Sequence, residues 1–406
     1  MAMEGWILSS SFANLMSSSG ASPFLNASLP LPDLENEPAR RVAAEAAGLS
    51  PAALSGSWQT LIDPVRFLDA LTRESAARMS RFAEGIRAYQ MHPHRRALEA
   101  LPEVWKRGAA TLRAAGDEGP AVLFVPSLVN RAYILDLAAD RSVMRACAGK
   151  GLRAFLLDWG DPSAAELAFT LTDYMEGVLL PALEEIVART GGPVRLAGYC
   201  MGGTLAAAAA VLRPDLIDRL VLLAAPWDFH TEGEAARALM KAMEVPLAMM
   251  IDAEGQASVD LLQALFASLD PTLTGRKFRG FASLDPGSDE AHRFVELEDW
   301  LNEGVPLAGA VMKEVLSDWY GANAPARGAW RVSDIAIEPA RIRTRTLALI
   351  PGQDRIVPPQ SARALAAAIP GAVVRDVPFG HIGMIAGRSA PQRVYEPLIA
   401  WLKSPD

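Results

Sequence analysis

Cys200 stands in the run LAGYCMGGTLAAAAA, residues 196–210, between Gly198 and the pair Gly202 and Gly203, and an alanine-rich helical stretch follows it. Strand, tight turn and helix in that order are the context of a nucleophile elbow, which lifts one side chain to the apex of a sharp turn. The glycines let the backbone turn and let strand and helix approach closely. A residue at the apex sits at a helix N-terminus, where unpaired N–H groups and the positive dipole end favour an anion. For sulfur this is decisive, because the thiolate is the nucleophile and an unperturbed thiol holds only a few per cent of it at neutral pH.

A thiolate needs a base, and the base needs an orienting acid. LIPGQDRIVPP sets Asp354 just past the end of one apolar run, and VPFGHIGM sets His381 in the loop after the next. Of the five histidines, His381 is the one at a strand-end loop followed by a glycine, Gly383. Asp228, in APWDFHT, also follows a strand end and is the rival for the acid role. His230 beside it reads as packing, His92 and His94 around Pro93 as surface, and His292 as part of a polar face. Cys147, mid-helix in an apolar setting, reads as structural. The oxyanion formed on attack requires backbone donors. The N–H of Met201, directly after the nucleophile, is one, and the loop VPSLVNRAYILDL supplies the other from Leu128 or Val129.

These groups need a scaffold that brings loop ends together. Short apolar runs at 121–127, 152–160, 193–199, 218–226, 344–352 and 371–378 end in turn residues, and helical stretches such as 142–151 and 171–190 separate most of them. Continuous apolar strands alternating with helices predict a parallel sheet covered on both faces. The order Cys, Asp, His along the chain is that of the α/β-hydrolase fold. The stretch between Pro226 and Thr344 far exceeds the usual connection of about 2–6 residues and predicts an inserted, mostly helical cap. The expected organisation is a flexible leader over 1–55, a helical region over 56–115, a core from 116–226 and 340–406, and a cap over 227–339. From Asp63 and Pro64, a plausible N-cap and first helical position, a helix carries the stripe Leu68, Leu71, Met79, Phe82, Ile86 and Tyr89, whose spacing buries one face. In the cap, Trp300, Trp319 and methionines 240, 243, 249 and 250 are expected to pack inward or to line an acyl channel.

Composition narrows the classes. The chain has 406 residues, half of them hydrophobic, so it has ample material for a core. A net charge of −8 argues against a binder of nucleic-acid phosphates. Two cysteines do not make a secreted disulfide framework, and a reducing cytoplasm is expected. No apolar run nears the roughly 18 residues of a membrane span, and Glu4 stands where an export signal would be positive.

Sulfur also bears on the reaction. A thiolate attacking a CoA thioester exchanges one thioester for another at similar energy, so the acyl group stays activated for transfer to a hydroxyl, whereas a serine would hold it as a stable oxyester. With this, the sequence resembles the polyhydroxyalkanoate synthases, nearest the class III catalytic subunits, from about residue 120 to 400 and more faintly from 63. VPSLVNRAYILDL, LLDWGDPS, TDYMEG, LAGYCMGGT, APWDFHT, FVELEDWLNEGVPLAG, DRIVPP and GHIGM carry the resemblance. It implies that Cys200 holds a growing (R)-3-hydroxyacyl ester, that His381 deprotonates the thiol, and that Asp354 supports the histidine or activates the attacking hydroxyl. It also implies release of CoA, no metal or redox cofactor, a homodimer, a second synthase subunit or granule-surface proteins as partners, and work at the polyester granule. Arg355 stands where the family commonly has a histidine, and the N-terminal extension is longer than usual. From the residues alone, two other readings stay open: a cysteine hydrolase, either thioesterase or intracellular depolymerase, and a non-catalytic granule-associated protein.

Overall fold

Continuous apolar runs, whose successive side chains point to opposite faces, give the sheet of this chain two buried faces. A computed structural model describes residues 64–405, which form two units. The larger holds His94–Leu269 and the chain from Arg293 onward. Its sheet comprises β1 (Glu103–Arg107), β2 (Ala110–Ala115), β3 (Ala121–Val125), β4 (Arg153–Asp158), β5 (Val194–Tyr199), β6 (Ile217–Leu223), β7 (Arg345–Pro351) and β8 (Val373–Val377). The spatial order is β1-β2-β4-β3-β5-β6-β7-β8. β2 is antiparallel to β1 and β4, and the remaining neighbours are parallel.

Successive side chains point to opposite faces, so each inner strand feeds two cores. Leu123, Leu196, Leu220, Leu222 and Ile350 join one apolar cluster, while Phe124, Ala197, Val221, Leu223 and Leu349 join the other. The first face is covered by α3 (Leu180–Thr190) and α4 (Met201–Leu212), the second by α2 (Val143–Ala148) and α11 (Glu396–Lys403). In α4 everything from Met201 to Val211 is buried, and its alanines allow the helix to lie close on the sheet. This is the expected α/β-hydrolase architecture, mostly parallel with helices on both faces.

The described part of the range 56–115, residues 64–115, is not helical throughout as expected from the sequence. Helix α1 spans Pro64–Gln90, and the remainder includes the hairpin β1–β2 at the edge of the sheet. The two-residue turn Gly108–Ala109 has φ +59 at Gly108, the glycine-first pattern such hairpins favour. Glu166 holds it by accepting from the Ala109 N–H at 2.9 Å. Lys106 and Arg107, exposed on β1, and the half-buried Arg113 of β2 mask the alternation in the sequence.

Between β6 and β7 the chain is mostly helical: α5 (Glu234–Glu254), α6 (Val259–Leu269), α7 (Leu273–Phe281), α8 (Asp289–Asn302) and α9 (Gly309–Glu314), while α10 (Pro359–Ala368) follows β7. Trp300 and Trp319 are buried, as expected of packing residues. Met243, Met249 and Met250 are not: they are 39%, 69% and 50% exposed on α5, because neighbouring cap helices cover only its Leu247 and Ile251 side.

The smaller unit joins Asp270–His292 to the described residues up to Pro93. There α1 (Pro64–Gln90) packs on α7 through its C-terminal half, with Phe82 and Tyr89 edge-on to Phe278 at 6.2 and 5.9 Å. Leu68, Leu71 and Met79 of the expected buried stripe are exposed, since α7 is only a third as long as α1. The leader over 1–55 lies outside the described residues.

Candidate active site

The site forms beyond the carboxyl ends of β5, β7 and β8, where an open parallel sheet offers a crevice. Cys200 follows β5 directly and adopts φ 57°, ψ −132°, a conformation that a non-glycine residue enters only at a cost of about 1–3 kcal/mol. Its N–H donates to Leu223 O at 2.9 Å, tying the apex to β6. The turn closes because a Cβ is absent at two places. One on Gly198 would collide with the backbone of Gly202 and Gly203, and one on Gly202 would overlap the carbonyl oxygens of Val125 and Pro126.

The thiol is half-buried rather than sealed among aliphatic neighbours. It lines a cavity of about 70 Å³ together with Ser127, Asn130, Phe266, Trp300 and His381, a volume that holds several water-sized groups. His381 arrives from the loop after β8. Its Nδ1 lies 2.6 Å from Asp354 Oδ2, which leaves Nε2 as the nitrogen free to serve Cys200, and both residues line the same cavity. Burial by itself would lower the pKa of His381. The electrostatic interaction with Cys200 and the hydrogen bond to Asp354 outweigh it and raise the value to about 10.

Asp354 has no exposed side-chain surface. Its Oδ1 accepts from the N–H groups of Ile356 and Val357 at 2.8 and 2.9 Å, so the carboxylate is fixed by its own loop while Oδ2 holds the imidazole. Asp228, the rival acid, instead accepts from His230 N and Asn323 Nδ2 at 3.0 and 2.9 Å, and its contacts belong to the cap. His230 also packs there, its Nε2 2.8 Å from Tyr320 O.

The other expectations divide. His92 is buried with Nε2 2.9 Å from Pro286 O, and His94 pairs with Glu296 at 3.0 Å, so neither is a surface residue. The backbone on either side of Pro93 turns both rings toward carbonyl or carboxylate acceptors that sequence spacing does not reveal. Cys147 is buried and its thiol is pushed up to about 12 by burial. The Val129 N–H is not free for an oxyanion, because it donates to Ser127 Oγ at 3.1 Å. The N–H groups of Met201 and Leu128 have no hydrogen-bond partner among the described residues; for Met201 this is the ordinary lot of a first helical residue. Arg355 is exposed beside Asp354.

Tyr199 is a site residue the sequence did not single out. Its ring stacks on His381 with centroids 5.0 Å apart, and its hydroxyl donates to His381 O at 3.2 Å. Adjacency to Cys200 was the one available signal, and it says nothing of a residue 182 positions away. Among the described residues no group of three or more His, Cys, Asp or Glu is placed to hold a metal, and no helix is long and apolar enough to cross a membrane.

An elbow at the end of β5 with an acid and a histidine on later strand ends defines an α/β hydrolase, and residues 120–387 match the family model for the alpha/beta hydrolase fold. A solved hydrolase from Pseudomonas aeruginosa PA01 shares 18% identity with it, covers 75% of this chain and 98% of its own, and superposes with a TM-score of 0.47. Curated relatives are more specific. The poly(3-hydroxyalkanoate) polymerase subunit PhaC of Allochromatium vinosum is 30% identical over 285 residues, 69% of this chain and 80% of that one. The same subunit of Synechocystis is 32% identical over 291 residues, 69% of this chain and 77% of that one. The chain belongs to the poly(3-hydroxyalkanoate) polymerase family within the α/β hydrolases.

Proposed function

We propose that the protein is a polyhydroxyalkanoate synthase that polymerises (R)-3-hydroxyacyl groups from CoA thioesters through a thioester on Cys200. The observation that carries this reading is a half-exposed cysteine, in place of serine, at the strained apex, in a cavity it shares with a histidine held by Asp354. The Cys200 thiolate attacks the thioester carbonyl, and the oxyanion is met by backbone N–H groups at Met201 and Leu128. The C–S bond to CoA breaks, and the leaving thiolate takes the proton of His381 Nε2. The hydroxyl of a second hydroxyacyl group then attacks the Cys200 thioester and gives its proton to His381. An ester bond forms as the Cys200 thiolate departs, and the cycle can repeat.

Asp354 is sealed from the cavity and both its oxygens are engaged. Its part is to orient and charge-stabilise His381, not to touch the attacking hydroxyl. No metal or redox group enters this chemistry. The product is insoluble, so the enzyme works at a polyester surface in the cytoplasm, with a second synthase subunit or a second copy of the chain as partner.

The test is purified protein with 3-hydroxybutyryl-CoA, following free thiol and turbidity together. CoA release with growing turbidity, both lost in Cys200→Ala, is the expected result. Thiol release that yields only free hydroxy acid overturns it in favour of a cysteine hydrolase.

A further inference from the structure

The loop after β3, residues 126–131, is held from two sides by indole groups. Trp159 Nε1 donates to Pro126 O at 3.2 Å at its start, and Trp300 Nε1 donates to Arg131 O at 2.8 Å at its end. Between them lie the Leu128 N–H and Asn130, whose φ is +68°. A non-glycine residue in that region needs its surroundings to hold it there.

The second clamp comes from the cap. Besides Trp300, two further bonds join the same short segments: Arg131 Nε donates to Glu303 O at 3.2 Å, and Tyr133 OH donates to Glu303 Oε2 at 2.9 Å. The end of α8 is thus latched to the loop by three hydrogen bonds within four residues. Trp300 is also buried and lines the cavity beside Cys200, so the group that clamps the loop is the one an entering acyl chain would touch.

We propose that Trp300, seconded by the Tyr133–Glu303 bond, is a positioning residue that sets the oxyanion-binding backbone of residues 128–130, and that the cap thereby completes the active site. Trp300 touches no reacting atom in this role; it acts through the carbonyl of Arg131. The inference rests on the reading that this loop supplies an oxyanion donor, and not on the identity of the acyl acceptor.

Two reactions of the same sulfur separate the loop from the nucleophile. Acylation of Cys200 by p-nitrophenyl acetate passes through an oxyanion, whereas alkylation by iodoacetamide does not and depends on the thiolate alone. Trp300→Phe keeps an aromatic ring and deletes the donor. It is expected to slow the acylation burst by about tenfold, part of the roughly 10²–10³ that an oxyanion donor contributes, with the alkylation rate unchanged. Tyr133→Phe, at the rim and without a cavity, is expected to move acylation in the same direction by a smaller factor, and it carries the test alone if Trp300→Phe does not fold. Equal loss in both reactions, or no loss of acylation in a folded Trp300→Phe, or in Tyr133→Phe where Trp300→Phe does not fold, overturns the proposal. Neither probe forms polymer, so a failure here is distinct from a failure of the synthase reading.

Discussion

Asp354→Asn tests the charge relay of geometry at its most constrained point. Asp354 Oδ1 accepts two backbone N–H groups at 2.8 and 2.9 Å. An asparagine must keep its oxygen on those donors, so its NH2 faces His381 Nδ1 at the position where Oδ2 now lies 2.6 Å away. Nδ1 then has to accept, the ring proton moves to Nε2, and the nitrogen facing Cys200 can no longer take a proton from sulfur. The variant is isosteric and leaves the fold intact. Replacing the acid of such a triad by its amide keeps the geometry and lowers turnover about 10⁴-fold through the wrong tautomer, so a rate loss of about a thousandfold to ten-thousandfold is expected. The assay is iodoacetamide alkylation of Cys200 across pH, alongside CoA release. The expected profile is slow alkylation at pH 7 that recovers in alkaline solution as the thiol ionises unaided. Wild-type alkylation at neutral pH would refute the view that Asp354 sets the tautomer of His381.

The raised pKa of His381 has a stability consequence. Its protonated form is favoured by folding, so the stabilisation is fully present below the ordinary value of 6.5 and fades as pH rises toward about 10. Denaturant midpoints of wild type and His381→Gln should therefore converge between pH 6.5 and 10; a gap that widens contradicts the assignment. Thiol titration of the native protein should count one fast-reacting sulfur, Cys200, with Cys147 reacting only after unfolding, since it is fully buried in α2 and pushed up to about 12. Gly202→Ala drives a Cβ into the carbonyl oxygens of Val125 and Pro126, backbone that cannot step aside. A stability loss of about 3 kcal/mol or more by urea unfolding is expected, and a near-neutral effect would mean that β3 and α4 are less tightly apposed than described.

The division between what was legible in the sequence and what was not follows the range of the forces involved. Local rules wrote the elbow: glycines where a Cβ cannot fit, an apolar strand before, an alanine helix after. They also placed Asp354 and His381 at strand ends, and the alternation of Leu123 with Phe124 or Leu222 with Leu223 marked strands buried on both faces. These signals survive because each depends on neighbours within a few residues. The contacts that refine the site do not. Tyr199 found His381, and Trp300 found Arg131, each through backbone geometry that exists only once the chain is folded. The same holds for the methionines of α5, whose helical spacing declares an apolar face but not whether anything lies against it. Helix periodicity fixes which side chains share a side; packing of distant elements decides which side meets a neighbour, and that decision placed Leu68 and Met249 in solvent and His92 in the interior.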